Sequence, residues 1–326
     1  MKKIFSLLII ISLTFTLIGC KTNTQLSDTK ICLDTEVTIT LYDNSSSDIL
    51  KKCFSICNKY ENIFSMHKKT SELYKLNHSD KTKPIKLSKE LAYVINKGIY
   101  YSKLSNGSFD ITIGSVSSLW DFTSSNPSLP NDSKIKEGLT HVNYSNIKID
   151  NNYISYTDPN IIIDLGAIAK GYIGDKIKEY LLIKDVNSAL LNLGGNIVCV
   201  NDKNGENFNI GIQDPTNSSK VLKKLSIDNL SVVTTGTYER FFEINGKKYH
   251  HILNPQTGYP YENNLSAVSI ITSNSLEADC LSTVCFTMGK DKGLKLLNKL
   301  KKTEGIMVDN DNNQYPSKQF NKYVIK

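Results

Sequence analysis

With 326 residues the chain is long enough for one large domain or two modest ones, and 40% hydrophobic against 22% charged residues excludes a disordered polymer. The formal charge is +7, two less once Lys2 and Lys3 are removed, and it is spread over many lysines with no dense basic block interleaved with aromatics. That excludes a nucleic-acid role and supports no more than attraction to anionic lipid or to ligand phosphate.

Met1-Lys2-Lys3 precedes an apolar run over residues 4–18. This is the pattern of an export signal, and it is shorter than the roughly 20 residues of a membrane-spanning helix. Leu17-Ile18-Gly19-Cys20 resembles the bacterial lipobox, which places the cut before Cys20 and a lipid on its thiol. A cysteine directly after a small residue at the end of the run favours this over an ordinary signal peptide. The expected organisation is a signal peptide over residues 1–19, a flexible tether over 20–30 and one catalytic domain over 31–326. Everything beyond Cys20 is expected to be soluble and held by lipid at the extracytoplasmic face of the cell membrane.

Residues 31–42 alternate and are rich in Thr, Val and Ile, which predicts a strand. Ser47-Asp48 can cap a helix running to about Phe64, on which Cys53 and Cys57 are expected as buried free thiols. The cysteines after Cys20 form neither a recognisable disulfide framework nor a CxxC zinc pair. A short helix at 71–76 follows, then a helix from Ser88 with Leu91, Val94, Ile95 and Ile99 at helical spacing. Ser105-Asn106-Gly107-Ser108 breaks it. A surface loop over 124–133 and a hairpin over 146–156 complete the first half. The second half alternates: a short strand at 161–163, a helix over 167–182, strands around Gly194-Gly195, strands at 208–212, 231–235, 239–244 and 266–272, and helices over 276–288 and 290–301. The class is α+β (mixed α/β), without an internal repeat.

Four segments stand out: three join glycines, a charge and small polar residues, and the fourth sets two acids among small residues. They are residues 107–112, residues 164–172, residues 234–240 continuing to 258, and residues 277–283. In the second, a strand ends at Asp164, glycine allows a turn, and a helix starts near Ala167 with Lys170 one turn in. Free N–H groups there can hold phosphate, although a plain strand-to-helix turn explains the pattern equally well. In the fourth, Asp279 and Thr283 share a helical face and are oxygen ligands that Mg²⁺ accepts; alone, such a pair is more often a surface coincidence. His250-His251 is either a strand end with one ring inside and one out, or a site for proton transfer near neutral pH.

Taken in order, GSFDITIG with Leu119-Trp120, DLGAIAKGY, LNLGGNI, TTGTYERFFEINGKKYHHILNPQTGYP and EADCLST resemble the ApbE family of FAD:protein FMN transferases. FSMHKKTSELYKLN matches a more variable family segment, and the likeness covers nearly the whole mature chain. The resemblance implies a FAD site between the subregions of the fold, and Mg²⁺-dependent transfer of FMN from FAD to a threonine hydroxyl of an acceptor flavoprotein, with AMP released. It also implies an acceptor motif close to Asp-Gly-x-Ser/Thr-Gly-Ala-Thr. By position, Ala167 would bind the metal through its carbonyl, and Asp279 and Thr283 through side chains. Leu33, His67, Ser108, Phe109, Asp110, Asp164, Lys170 and Leu253 would contact FAD, while His251 and Lys170 would serve the phosphoryl chemistry.

Two departures stand out. Leu33-Asp34-Thr35 replaces the family's Met-Gly-Thr, and His67 occupies a position usually held by a tyrosine that packs on FAD. The second leaves room for a FAD pyrophosphatase releasing FMN and AMP, or for a non-catalytic flavin-binding lipoprotein. Asp279, Thr283 and His251 argue against pure binding.

Overall fold

A computed structural model describes residues 25–43, 46–122 and 124–325; the expected signal peptide and Cys20 lie outside them. The chain opens with a hairpin of β1 (Leu26–Cys32) and β2 (Thr35–Leu41), in register from Leu26 opposite Leu41 to Cys32 opposite Thr35. Two expectations are corrected here. The tether does not extend to residue 30, since residues 26–30 are already paired strand. The single strand over 31–42 is broken at Leu33 and Asp34, whose φ angles of 57° and 56° make the two-residue turn that antiparallel strands require.

Helices α1 (Ser47–Phe64), α2 (Glu72–Asn77) and α3 (Lys89–Leu104) follow. Ser46, Ser71 and Ser88 each accept the N–H three residues on, satisfying donors that a helix start leaves orphaned. The α1 cap is thus one residue earlier than Ser47. Its buried face is Leu50, Cys53, Phe54, Cys57, Tyr60 and Phe64, a stripe at helical spacing. Short α4 (Gly114–Ser117) and α5 (Asp132–Leu139) frame the Ser/Asn/Pro loop. β3 (Ile85–Lys86), β4 (Ile147–Asp150) and β5 (Tyr153–Tyr156) form a small separate sheet. The strand expected at 161–163 is only a single bridge between Ile162 and Ile113.

The second half supplies α6 (Ala169–Ile183), β6 (Ser188–Leu193), β7 (Asn196–Asn201), β8 (Phe208–Asp214), β9 (Asn217–Ile227) and β10 (Ser231–Gly236). Next come β11 (Phe241–Ile244), β12 (Lys247–His250), β13 (Leu265–Thr272), α7 (Ser275–Met288), α8 (Lys290–Leu297), β14 (Glu304–Asp309) and β15 (Gln314–Pro316). The last helix therefore ends at Leu297, not near residue 301.

Eight of these strands make one antiparallel sheet in the order β1-β2-β6-β7-β10-β13-β14-β15. Alternation sends Val233 and Ile270 into the main core under α1, α6 and α7, and Val232 and Ile271 into a second core roofed by the β8–β9 hairpin. β13 is buried at every position because both faces are covered. A third cluster, around Trp120, Phe242 and Leu253, joins α4 and α5 to the β11–β12 hairpin, which stands apart from the sheet. The six described cysteines are all free and buried. No described helix is long and apolar enough to cross a membrane.

Candidate active site

The start of α6 has no side-chain cap, and what replaces the cap organises the site. The Gly171 N–H, which in a continuing helix would reach the Ala167 carbonyl, donates instead to Asp279 Oδ2 on α7 at 2.9 Å. Among the described residues the Ala167 carbonyl is left without a backbone donor. Glycine is needed at 171 because a Cβ there would run into the Ser275 carbonyl and Leu276 Cα at the start of α7. Asp175 locks the same junction, accepting the Ser275 and Leu276 N–H groups at 2.7 and 3.0 Å.

Asp279 is only 4% exposed. Burial pushes its carboxyl above the usual carboxylate range, opposed by the positive charge of Lys170, the Asn196 amide and the Gly171 N–H. Asn196 is itself buried, and its Nδ2, beside the Asp279 carboxylate, makes no well-aligned hydrogen bond among the described residues. One turn along α7, Thr283 Oγ1 lies 3.0 Å from Thr235 Oγ1 of β10, which is also 2.7 Å from Ser282 Oγ. A buried carboxylate, hydroxyls and an undonated backbone carbonyl form a set of hard oxygen donors that fits Mg²⁺. Among the described residues no group of three or more His, Cys, Asp or Glu is placed to hold a metal, so a cation here would rest on this mixed set.

Sequence reasoning missed Glu239. It follows β10 in an exposed bend, within electrostatic reach of Lys170 and Asp279. Surrounding protein raises its carboxyl to about 7, helped by Asp279 and opposed by Lys170 and Arg240. Its only sequence signal was a carboxylate three residues after the Gly236 turn.

The two histidines are held as opposite tautomers. His250 is buried; its Nδ1 accepts the Ile252 N–H at 3.3 Å, so Nε2 donates to the Tyr261 carbonyl at 3.0 Å. A second proton would displace the Ile252 bond, and burial holds the ring down to about 4. His251 Nδ1 lies 3.2 Å from the Arg240 carbonyl, which can only accept, so the Nε2 lone pair is free. Burial, with Arg240, His250 and Lys170 nearby, lowers it to about 3.

Because His250 titrates lower folded than unfolded, the unfolded chain binds the extra proton in acid. Its contribution to stability is complete above the unfolded value near 6.5 and is lost as pH falls towards 4. The urea midpoint should therefore be lower at pH 5 than at pH 7, and His250→Gln should shrink that difference. An undiminished difference would place the acid sensitivity elsewhere.

The remaining expected residues divide into two groups. Asp164 accepts from Gly166 N–H and Ser117 Oγ, both at 2.8 Å, and so holds the turn before α6. Ser108 reaches α7 through Thr287 Oγ1 at 3.2 Å. Phe109 is buried, and the Asp110 carboxylate is occupied by Thr112 and the Tyr144 N–H. Leu253 is buried in the Trp120 cluster, where Trp120 Nε1 donates to the Gly258 carbonyl at 3.0 Å. Leu33 packs on the main core, its N–H bonded to Glu61 at 3.0 Å. His67 is exposed in the loop after α1. The structure thus brings together Ala167, Lys170, Asp279, Thr283 and His251; among the described residues no contact ties Leu33 or His67 to them. A cavity of about 450 Å³ lined by Tyr93, Tyr172, Asp175 and Lys176 contains none of these residues.

If His67 stands where an aromatic ring would meet the flavin, His67→Tyr should tighten FAD several-fold, since a stacked ring adds on the order of 1 kcal/mol beyond burial. Equal FAD affinity in titrations of both proteins would show that the position does not stack.

Residues 33–307 match the model of the ApbE family. A FAD:protein FMN transferase of Klebsiella pneumoniae is 30% identical over 289 residues, spanning 88% of this chain and 90% of that one. A FAD:protein FMN transferase of Treponema pallidum is 31% identical over 277 residues, 79% and 76% of the two chains. The crystal structure of the ApbE protein from Thermotoga maritima superposes with a TM-score of 0.85 at 28% identity, covering 93% of this chain and 100% of that one.

Proposed function

The chain belongs to the ApbE family, and from that membership we propose that it is a FAD:protein FMN transferase that joins FMN to a threonine hydroxyl of an acceptor protein and releases AMP. The observation that carries the chemistry is the buried Asp279, held against the N-terminus of α6 by Gly171 and faced by Lys170. Asp279, Thr283 and the Ala167 carbonyl would hold Mg²⁺, which when bound neutralises charge on the FAD pyrophosphate. Lys170 adds a positive charge on the same side. His251 offers its Nε2 lone pair to the proton of the incoming hydroxyl. A threonine Oγ–phosphorus bond forms on the FMN phosphate, the bond from that phosphorus to the bridging oxygen breaks, and AMP leaves with that oxygen.

The partners are FAD and an acceptor flavoprotein carrying a segment close to Asp-Gly-x-Ser/Thr-Gly-Ala-Thr. The working location is the extracytoplasmic face of the membrane, through a lipid on Cys20. Fatty-acid labelling tests the anchor: equal label in wild type and Cys20→Ser would sink it.

The deciding experiment mixes the protein with FAD, Mg²⁺ and a threonine-motif acceptor and weighs the acceptor. A gain of one FMN less water, with one AMP released, is expected. AMP with an unchanged acceptor would indicate a FAD pyrophosphatase, and intact FAD a binding protein.

A further inference from the structure

The β11–β12 hairpin leads into the site and leaves one edge bare. His251 N–H reaches the Arg240 carbonyl at 3.1 Å, and Ile244 and Lys247 flank the two-residue Asn245-Gly246 turn. The hydrogen-bonded pairs of this ladder are therefore 240 with 251, 242 with 249 and 244 with 247. The N–H and C=O groups of Phe241 and Glu243 point the other way, and none has a partner among the described residues.

The edge is also chemically distinct. Phe242 is buried in the Trp120 cluster, but Phe241 is 40% exposed, with Lys248 Nζ 3.9 Å from its ring centre. Arg240, exposed just before β11, leads back to Glu239, whose carboxyl is within electrostatic reach of Lys170 and Asp279. A strand lying along β11 would thus be led past the Arg240 guanidinium towards Glu239 and Lys170. Arg240 suits a segment with a carboxylate close to its hydroxyl.

We infer that the acceptor protein docks by strand addition, its threonine-bearing segment lying extended against the free edge of β11. This inference rests on the transferase reading. Backbone bonds supply the affinity in such a mode, and alternate side chains supply selectivity.

The test uses a synthetic peptide carrying Asp-Gly-Ser-Ser-Gly-Ala-Thr with a few flanking residues, N-methylated at one backbone nitrogen at a time. With the wild-type protein, methylation at every second residue should raise the peptide KM about tenfold, roughly one lost hydrogen bond, while the intervening positions change little. Glu243→Pro removes an outward donor without costing a β11–β12 bond. It should raise the KM for peptide about tenfold more than the KM for FAD. A KM without period-two dependence, or a wild-type peptide KM in Glu243→Pro, overturns the docking mode. AMP release with no labelled peptide also overturns it and leaves FAD cleavage standing. Neither AMP nor label sinks the docking mode and the transferase reading together.

Discussion

Asp279→Asn should abolish AMP release and FMN transfer together in a protein that still folds. Both products require cleavage of the same pyrophosphate, so neither can survive alone. The asparagine carbonyl can still accept the Gly171 N–H that Asp279 Oδ2 holds at 2.9 Å, so the junction between α6 and α7 is kept. What disappears is the one carboxylate among the hard oxygen donors, and with it the charge that faces Lys170. A loss of at least about a thousandfold is expected, equivalent to roughly 4 kcal/mol of barrier. Asp279→Ala would be a poorer probe, because it also leaves a buried N–H without a partner, at about 1–3 kcal/mol. Thr283→Ala should do less harm, since a neutral hydroxyl contributes less to holding a dication. The measurement is FAD consumption with and without Mg²⁺, alongside circular dichroism. Full metal-dependent activity in folded Asp279→Asn would remove the site assigned here and revive a binding protein.

Gly171→Ala should give the largest loss of stability for a single methyl group. The added Cβ meets backbone, the Ser275 carbonyl and Leu276 Cα, and not the end of a side chain that could swing away. Relief requires α6 and α7 to separate, and the Asp175 bonds to Ser275 and Leu276 resist that separation. Overpacking of this kind costs about 3 kcal/mol. Activity should fall as well, because any separation moves Asp279 away from Gly171 and Lys170. Urea unfolding and AMP release on the same preparation check both parts. A variant with wild-type midpoint and rate would mean that the junction is looser than its contacts imply.

Much of the fold was legible where local pattern and tertiary environment agree. The stripe of α1 and the apolar β10 and β13 announced themselves. β9 did not, because Asn217 to Val221 are all exposed and nothing in their composition marks a strand. β14 was missed for the opposite reason: it is buried on both faces, so it shows no alternation, and acids stand at both ends. α5 was hidden by the Ser/Asn/Pro loop running into it, although Asn131 is its cap. In the site, Asp279 and Thr283 could be paired by helical spacing alone. The metal role of Ala167 came only from family likeness; its physical basis, the diversion of the Gly171 N–H, is a tertiary contact spanning 108 residues. Glu239 lay within the marked segment 234–240, but nothing local tells that it comes within electrostatic reach of Lys170 on α6.

The early start of β1 sets a working radius. With the lipid proposed at Cys20 and paired strand from Leu26 onwards, six residue steps separate membrane from folded protein. At about 3.5 Å per step, even a fully extended chain spans roughly 20 Å. The enzyme would patrol the lipid surface at close range and not sweep the space beyond it. Acceptors that present their threonine near that surface are within reach of one anchored molecule, whereas a diffusing soluble acceptor must come to the membrane to be modified.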